Sequence, residues 1–138
     1  MRLTGRVQSG KGDAARRLLA LMDAYTFKIG VPIFPGTLNL KLEEPFDWFA
    51  PELLEDIVWF ERIEHGGERD IVLLPCVLTN LQGNGAFLWS TTNAARDPAL
   101  RRMIEIISPL DLRGTYGLVD GDAVEIEVYD RDSGGERA

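Results

Sequence analysis

Between Pro32 and Leu42 the chain passes from a stiff turn into a strict alternation, and no other stretch limits the fold as much. Proline fixes φ and glycine admits backbone conformations other residues avoid, so Pro32, Pro35 and Gly36 read as a rigid turn. Leu38, Leu40 and Leu42 then alternate with Thr37, Asn39 and Lys41. Successive side chains of a strand point to opposite faces, which sends the leucines into a core and aligns Thr37, Asn39 and Lys41 outside it. A hydroxyl and an amide oxygen two residues apart can share one hard cation, with the lysine beside the anion that accompanies it. The same pattern also describes an ordinary half-buried strand, and residue type alone leaves both readings open.

The remainder of the chain repeats this scale of structure. Candidate strands run over residues 1–7, 57–63, 69–79, 86–90 and 123–129, the last with Val124, Ile126 and Val128 inward. Turns fall at residues 64–68, 80–85 and 118–122, each carrying Gly. Apolar residues at 14, 15, 18, 19, 22, 25 and 29 form a helical stripe, with Asp13 at the N-cap position and Gly30 at the end. Shorter helices are expected from Pro51 to Asp56 and from Ala99 to Ile104, the latter capped by Asp97-Pro98. A short turn and helix follow at residues 108–113. Together these elements predict a mainly β domain, a small six-stranded barrel with a few short helices, over residues 1–130. Residues 131–138, charged and Gly-rich, read as a flexible tail.

Charge and rare residues narrow the function classes. A net charge of −7 argues against a nucleic-acid binder, which needs a basic surface, although a local phosphate pocket remains compatible with it. No apolar run approaches the ~18 residues of a membrane span, and the chain is expected to be cytoplasmic. Cys76, the only cysteine, lies within the apolar run at 71–78 and reads as a buried structural thiol. His65, the only histidine, falls in a charged Gly-Gly turn and is expected to be solvated, which removes histidine triads and histidine metal sites.

Residues 8–13, Gln-Ser-Gly-Lys-Gly-Asp, form a small flexible loop leading into the first helix. Free N–H groups and the helix dipole favour an anion there, although a plain connector has the same composition. Gly5 to Lys11 matches the spacing of a P-loop up to its lysine, but Gly12 stands where Ser or Thr must hold magnesium. No alternating βα pattern follows, so a P-loop NTPase is rejected. Glu105, a single acid within Ile104-Glu105-Ile106-Ile107, is either a salt-bridged boundary residue or a ligand contact.

Four blocks, in order, give the chain a family likeness: residues 5–12 (GRVQSGKG), 30–39 (GVPIFPGTLN), 104–109 (IEIISP) with Leu112-Arg113, and 118–126 (LVDGDAVEI). The sequence resembles the CTP-dependent riboflavin kinases typical of archaea over nearly its whole length, the Pro-Gly-Thr-Leu-Asn signature being its most specific block. It departs from that pattern at Asp13-Ala14, where the family usually has Glu-Gly.

The resemblance implies a cradle-loop barrel that transfers the terminal phosphoryl of CTP to the 5′-hydroxyl of riboflavin, giving FMN and CDP. It implies Mg2+ on Thr37 and Asn39, and nucleotide contacts from Ser9, Gly10, Lys11 and Gly12 and from Leu110, Asp111, Leu112 and Arg113. It implies flavin contacts from Thr92, or its neighbour Thr91, and from Glu105, which could also act as the base. A non-catalytic flavin- or nucleotide-binding module derived from the family is the alternative, motivated by Asp13-Ala14. Small-molecule substrates are the expected partners, with neither nucleic acid nor membrane.

Overall fold

A computed structural model of the protein describes residues 1–10 and 12–128. The elements run β1 (Arg2–Gln8), α1 (Asp13–Ala20), α2 (Met22–Ile29), β2 (Leu38–Leu42), β3 (Val58–Phe60), α3 (Arg62–His65), β4 (Ile71–Leu78), β5 (Asn84–Thr91), α4 (Thr92–Arg96), β6 (Met103–Ile107), α5 (Leu112–Tyr116) and β7 (Ala123–Val128). Single 3-10 turns occupy Pro51–Asp56 and Pro98–Leu100.

Six strands close into an antiparallel barrel in the order β4-β5-β6-β2-β1-β7, with β7 returning to β4 through Cys76↔Val128, Val77↔Glu127 and Leu78↔Ile126. The seventh strand, β3, hangs on the outer side of β4. Closure leaves no edge within the barrel to template aggregation. Leu38, Leu40 and Leu42 of β2 are all buried in the barrel core, while Asn39 is half-buried and Lys41 exposed, as the alternation requires.

A second apolar cluster lies outside the barrel wall. Ala14 and Leu18 of α1 and Tyr25 of α2 pack there on Phe60, Ile71, Leu73, Trp89 and Ile107. This explains the unbroken apolar run of β4. Val72, Leu74, Cys76 and Leu78 face the barrel interior, while Ile71 and Leu73 face the helices. A strand covered on both faces has no reason to alternate. Cys76 is buried, and burial pushes its thiol up to about 12, which keeps it protonated.

Several boundaries differ from those predicted. The single helix expected over 14–29 is two helices, broken at Leu21 (φ −123°, ψ 22°), and the break lets α2 turn to put Tyr25 on the sheet. Gly12, with φ 80°, occupies the cap position, and Asp13 is the first helical residue. The predicted strand 57–63 and Gly-rich hairpin turn give way to a three-residue β3 and the short helix α3, which is closed by a reciprocal Glu61–Glu64 capping box. His65 is therefore not a solvated turn residue. Its ring meets Phe60 edge-on at 4.7 Å, and its Nδ1 accepts the Gly67 N–H at 2.9 Å.

The helix expected over 99–104 is replaced by α4 and the 3-10 turn, and Ile104 belongs to β6. The number of barrel strands thus agrees with expectation while its membership does not: β6 completes the ring, and β3 stands outside it. Tyr129 and the tail expected at 131–138 lie outside the described residues, as does Lys11.

Candidate functional site

The site grows from the β1–β2–β6–β5 seam. Gln8 pairs with Asn39, Asn39 with Glu105, and Glu105 with Trp89, so one row of residues crosses four strands. Thr37, two residues before Asn39, shares its face by the strand period and donates its hydroxyl to Glu105 Oε1 at 3.0 Å.

The loop after β1 folds over this row. At Gly10 an added Cβ would stand 2.3 Å from Asn39 Nδ2 and 2.8 Å from its Cγ, so only glycine lets the loop approach the amide. The loop then enters α1 at Gly12, and the Arg16 N–H closes on the Gly12 carbonyl at 3.2 Å. Three chemistries of the sequence (the Gly loop, the Thr37/Asn39 pair and Glu105) line one cavity of about 300 Å3, together with Asp13, Ala14, Arg17, Trp89, Ser90, Thr91 and Ala94.

Glu105 is the acid at its centre. Burial pushes its carboxyl above the ordinary carboxylate range, the Thr37 hydrogen bond and the Arg17 charge pull the other way, and Asp13 adds to the rise. Arg17 is half-buried, and its guanidinium makes no ion pair among the described residues. Thr37 Oγ1 and the Asn39 amide oxygen are two neutral hard oxygens of the kind that would fit a magnesium-type ion keeping waters and phosphate oxygens as its other ligands, with Glu105 behind Thr37. Among the described residues no group of three or more His, Cys, Asp or Glu is arranged to hold a metal ion, so a metal here would depend on neutral oxygens and on charge brought by its ligand.

Thr37 also lines a second cavity of about 190 Å3, formed with Phe34, Ser108, Leu110, Asp111, Leu112 and Arg113. The two cavities thus meet at one threonine. Asp111 caps α5 by accepting the Gly114 N–H at 3.2 Å. Ser9 and Arg113 converge on Asp120, at 3.0 and 3.1 Å, which ties the Gly loop to the start of α5.

Of the expected site residues, Gly12, Thr37, Asn39 and Glu105 line the first cavity and Leu110, Asp111, Leu112 and Arg113 the second, while Ser9, Gly10 and Thr92 line neither and Lys11 lies outside the described residues. Thr91 lines the first cavity and caps α4 by accepting the Ala94 N–H at 3.2 Å. Thr92 is the first residue of α4, gives its N–H to the Asp70 carbonyl at 2.9 Å and is not among the cavity's lining residues. Reasoning from sequence missed Arg17 and Trp89. Arg17 carried one signal, a cation one helical turn beyond Asp13, whereas Trp89 looked like any strand aromatic.

Comparison with known proteins gives this arrangement a family. The family model of the CTP-dependent riboflavin kinase domain, described as domain of unknown function DUF120, matches residues 7–128. The chain belongs to that family. Within it, a riboflavin kinase of Pyrobaculum islandicum is 33% identical over 147 residues, covering 94% of this chain and 61% of the relative. One from Staphylothermus marinus is 28% identical and covers 96% of this chain and 95% of the relative. One from Methanothermobacter thermautotrophicus is 31% identical, with 88% and 94% covered. The chain therefore spans about three-fifths of the first of these riboflavin kinases and nearly all of the other two.

Proposed function

We propose that the protein is a riboflavin kinase that transfers the terminal phosphoryl of CTP to the 5′-hydroxyl of riboflavin, giving FMN and CDP, with Mg2+ as cofactor. One observation carries the reading: Gly12 from the family's loop, Thr37 and Asn39 from its signature and the late acid Glu105 line a single cavity at a helix start.

Phosphoryl transfer asks a protein mainly to position the reactants and neutralise charge. The nucleotide's base and ribose occupy the cavity of Leu110, Asp111, Leu112 and Arg113, and its phosphates pass Thr37 into the larger one. Backbone N–H groups around Gly10 and Gly12 hold phosphate oxygens at the start of α1, and Lys11 adds charge from the same loop. Thr37 and Asn39 hold Mg2+, which when bound neutralises phosphate charge. Arg17 lies on the same wall and supplies further positive charge.

Thr91, at the cavity wall, is the threonine placed to contact the flavin side, and Glu105 orients its 5′-hydroxyl. As the base, Glu105 takes the hydroxyl proton while the oxygen attacks the terminal phosphorus and CDP leaves. Base catalysis is typically worth ~10²–10⁴-fold, which sets the loss expected on replacing it.

The test is incubation with riboflavin, Mg2+ and each of CTP, ATP, GTP and UTP, with FMN followed by chromatography. FMN formation fastest with CTP, and abolished in a folded Asn39→Ala variant, supports the proposal. Flavin binding without turnover on any triphosphate would instead make this a binding module.

A further inference from the structure

A cavity of about 370 Å3 lies outside the phosphoryl site, between α1, α2 and the segment joining α3 to β4. The proposed reaction leaves it without a role. Its charge runs against that of the chain. The protein as a whole carries −7, yet Arg16, Arg17 and Arg69 line this cavity with Glu68 as the single carboxylate. Arg16 stands 3.6 Å from Asp13 in an exposed pair, which contributes little. The guanidinium groups of Arg17 and Arg69 form no ion pair among the described residues.

The neutral side chains add donors to these cations. Tyr25 is 1% exposed, and its hydroxyl oxygen accepts Trp89 Nε1–H at 2.7 Å. Its own proton has no acceptor among the described residues. Burial pushes the phenol up to about 12, so that proton stays available. His65 Nδ1 accepts from the Gly67 N–H, which leaves the proton of the neutral ring on Nε2, and Nε2 is buried with no partner. Leu21, Ile71 and Trp89 supply an apolar wall. Buried donors without partners are costly, and a guanidinium fork matches the paired oxygens of a carboxylate or phosphate. The volume falls within the ~300–1,000 Å3 of small-molecule sites, which leaves room for an organic body behind the charged group.

We propose that this cavity is a second, regulatory anion site, which takes a small organic anion by its phosphate or carboxylate group. Arg69, Tyr25 and His65 hold the oxyanion, and the apolar wall takes the organic body. Arg17 couples the site to catalysis. Arg17 and Trp89 line both this cavity and the phosphoryl cavity, so the two spaces adjoin along one wall. An oxyanion seated here engages the Arg17 guanidinium and draws its charge away from the nucleotide phosphates. Anion and nucleotide then weaken each other's binding by the same factor. This inhibition rests on the kinase reading, whereas the anion site itself does not.

The probes are phenyl phosphate and benzoate, which share an apolar body and differ in the oxyanion. Each is titrated calorimetrically into the full chain at constant ionic strength, beside inorganic phosphate, which has no organic body. At least one of the two is expected to bind wild type tenfold more tightly than inorganic phosphate, and the tighter one identifies the charged group. Arg69→Ala, at an exposed position outside the phosphoryl site, should raise the dissociation constant at least tenfold. Loss of one hydrogen bond in Tyr25→Phe should raise it by about three- to tenfold. Asn39→Ala, in the phosphoryl cavity, should leave it unchanged. The saturating probe should weaken CDP binding several-fold in wild type and not in Arg69→Ala. In turnover assays it should slow FMN formation by wild type, while Arg69→Ala keeps the basal rate and escapes inhibition.

No binding of either probe, binding untouched in both Arg69→Ala and Tyr25→Phe, or binding lost in Asn39→Ala overturns the site. Affinity for inorganic phosphate equal to that for both probes overturns the organic ligand. Arg69-dependent binding with unchanged CDP affinity overturns the regulatory role. Arg69-dependent binding in a protein that makes no FMN with any triphosphate refutes the kinase reading and keeps the anion site.

Discussion

Thr37 gives its hydroxyl proton to Glu105 Oε1 across the β2–β6 seam at 3.0 Å, directly beside the Asn39–Glu105 register pair. A hydroxyl that donates its proton still has lone pairs to offer. Glu105 therefore fixes the direction in which Thr37 presents them, which on the proposed reading of Thr37 as a metal ligand makes Glu105 its outer partner. Replacing Glu105 by Gln should weaken Mg2+ binding by about 10-fold or more in addition to lowering turnover, because the amide holds the hydroxyl less firmly. A Mg2+ titration of nucleotide binding, which involves no chemistry, separates the two effects.

The same acid sets a pH dependence in the metal-free protein. Burial raises the Glu105 carboxyl above its value in the unfolded chain. Between those two values the folded state binds more protons than the unfolded state, so stability falls as pH rises through the window. Urea midpoints measured in EDTA across that range should show this slope in wild type and a shallower one in Glu105→Gln. Identical slopes would mean that Glu105 does not titrate there.

Gly10 is the position where a single methyl group should do most damage. A Cβ there collides with the Asn39 amide, and Asn39 is held between β1 and β6 on either side. Gly10→Ala is expected to raise KM for the nucleotide by an order of magnitude or more, while the melting temperature moves by only a few degrees. A variant with unchanged nucleotide binding would show that the loop moves aside freely.

Asp120 ties Ser9 to Arg113 on the exposed side of the site. Exposed ion pairs contribute about 0–1 kcal/mol, so Asp120→Ala should leave stability almost unchanged. Its effect should be on order: a several-fold higher KM for the nucleotide at constant kcat. A fall in kcat with KM unchanged would contradict this bracing role.

In the barrel core, Leu40 is fully buried in the strand that carries Asn39. Leu40→Ala should cost about 2–5 kcal/mol in urea unfolding, from lost transfer energy plus the cavity left behind. Cys76, buried and held protonated, should resist alkylation by iodoacetamide until the protein unfolds.

The sequence announced what local periodicity and turn chemistry encode. The alternation of β2 located its two faces, and Gly10, Gly12 and Asp13 marked the entry to α1. Elements defined by what packs on them were harder to see. The break at Leu21 has neither Gly nor Pro and exists because Tyr25 must reach Trp89. The strand β6 was obscured because Ile104, Ile106 and Ile107 are apolar on both faces, Ile104 and Ile106 toward the barrel and Ile107 toward the helices. That Thr91 and not Thr92 lines the cavity follows from which of them caps α4, a matter of one position that propensity does not resolve. Arg17 belongs to the site only because α1 packs in the cluster of Trp89 and Ile107 on the outer face of β5 and β6, a fact of tertiary structure.

The closing pair β4–β7 has a consequence for biosynthesis. β7 alone bridges β1 and β4, and its last described residue, Val128, pairs with Cys76 and takes a hydrogen bond from the Met1 amine at 3.1 Å. On a translating ribosome, the β1–β2 pair and the β4–β5 hairpin can form early, but both remain open at one side until residue 128 has cleared the exit tunnel. The nascent domain must therefore carry exposed strand edges until β7 emerges, and the final few residues of β7 remove them in one step.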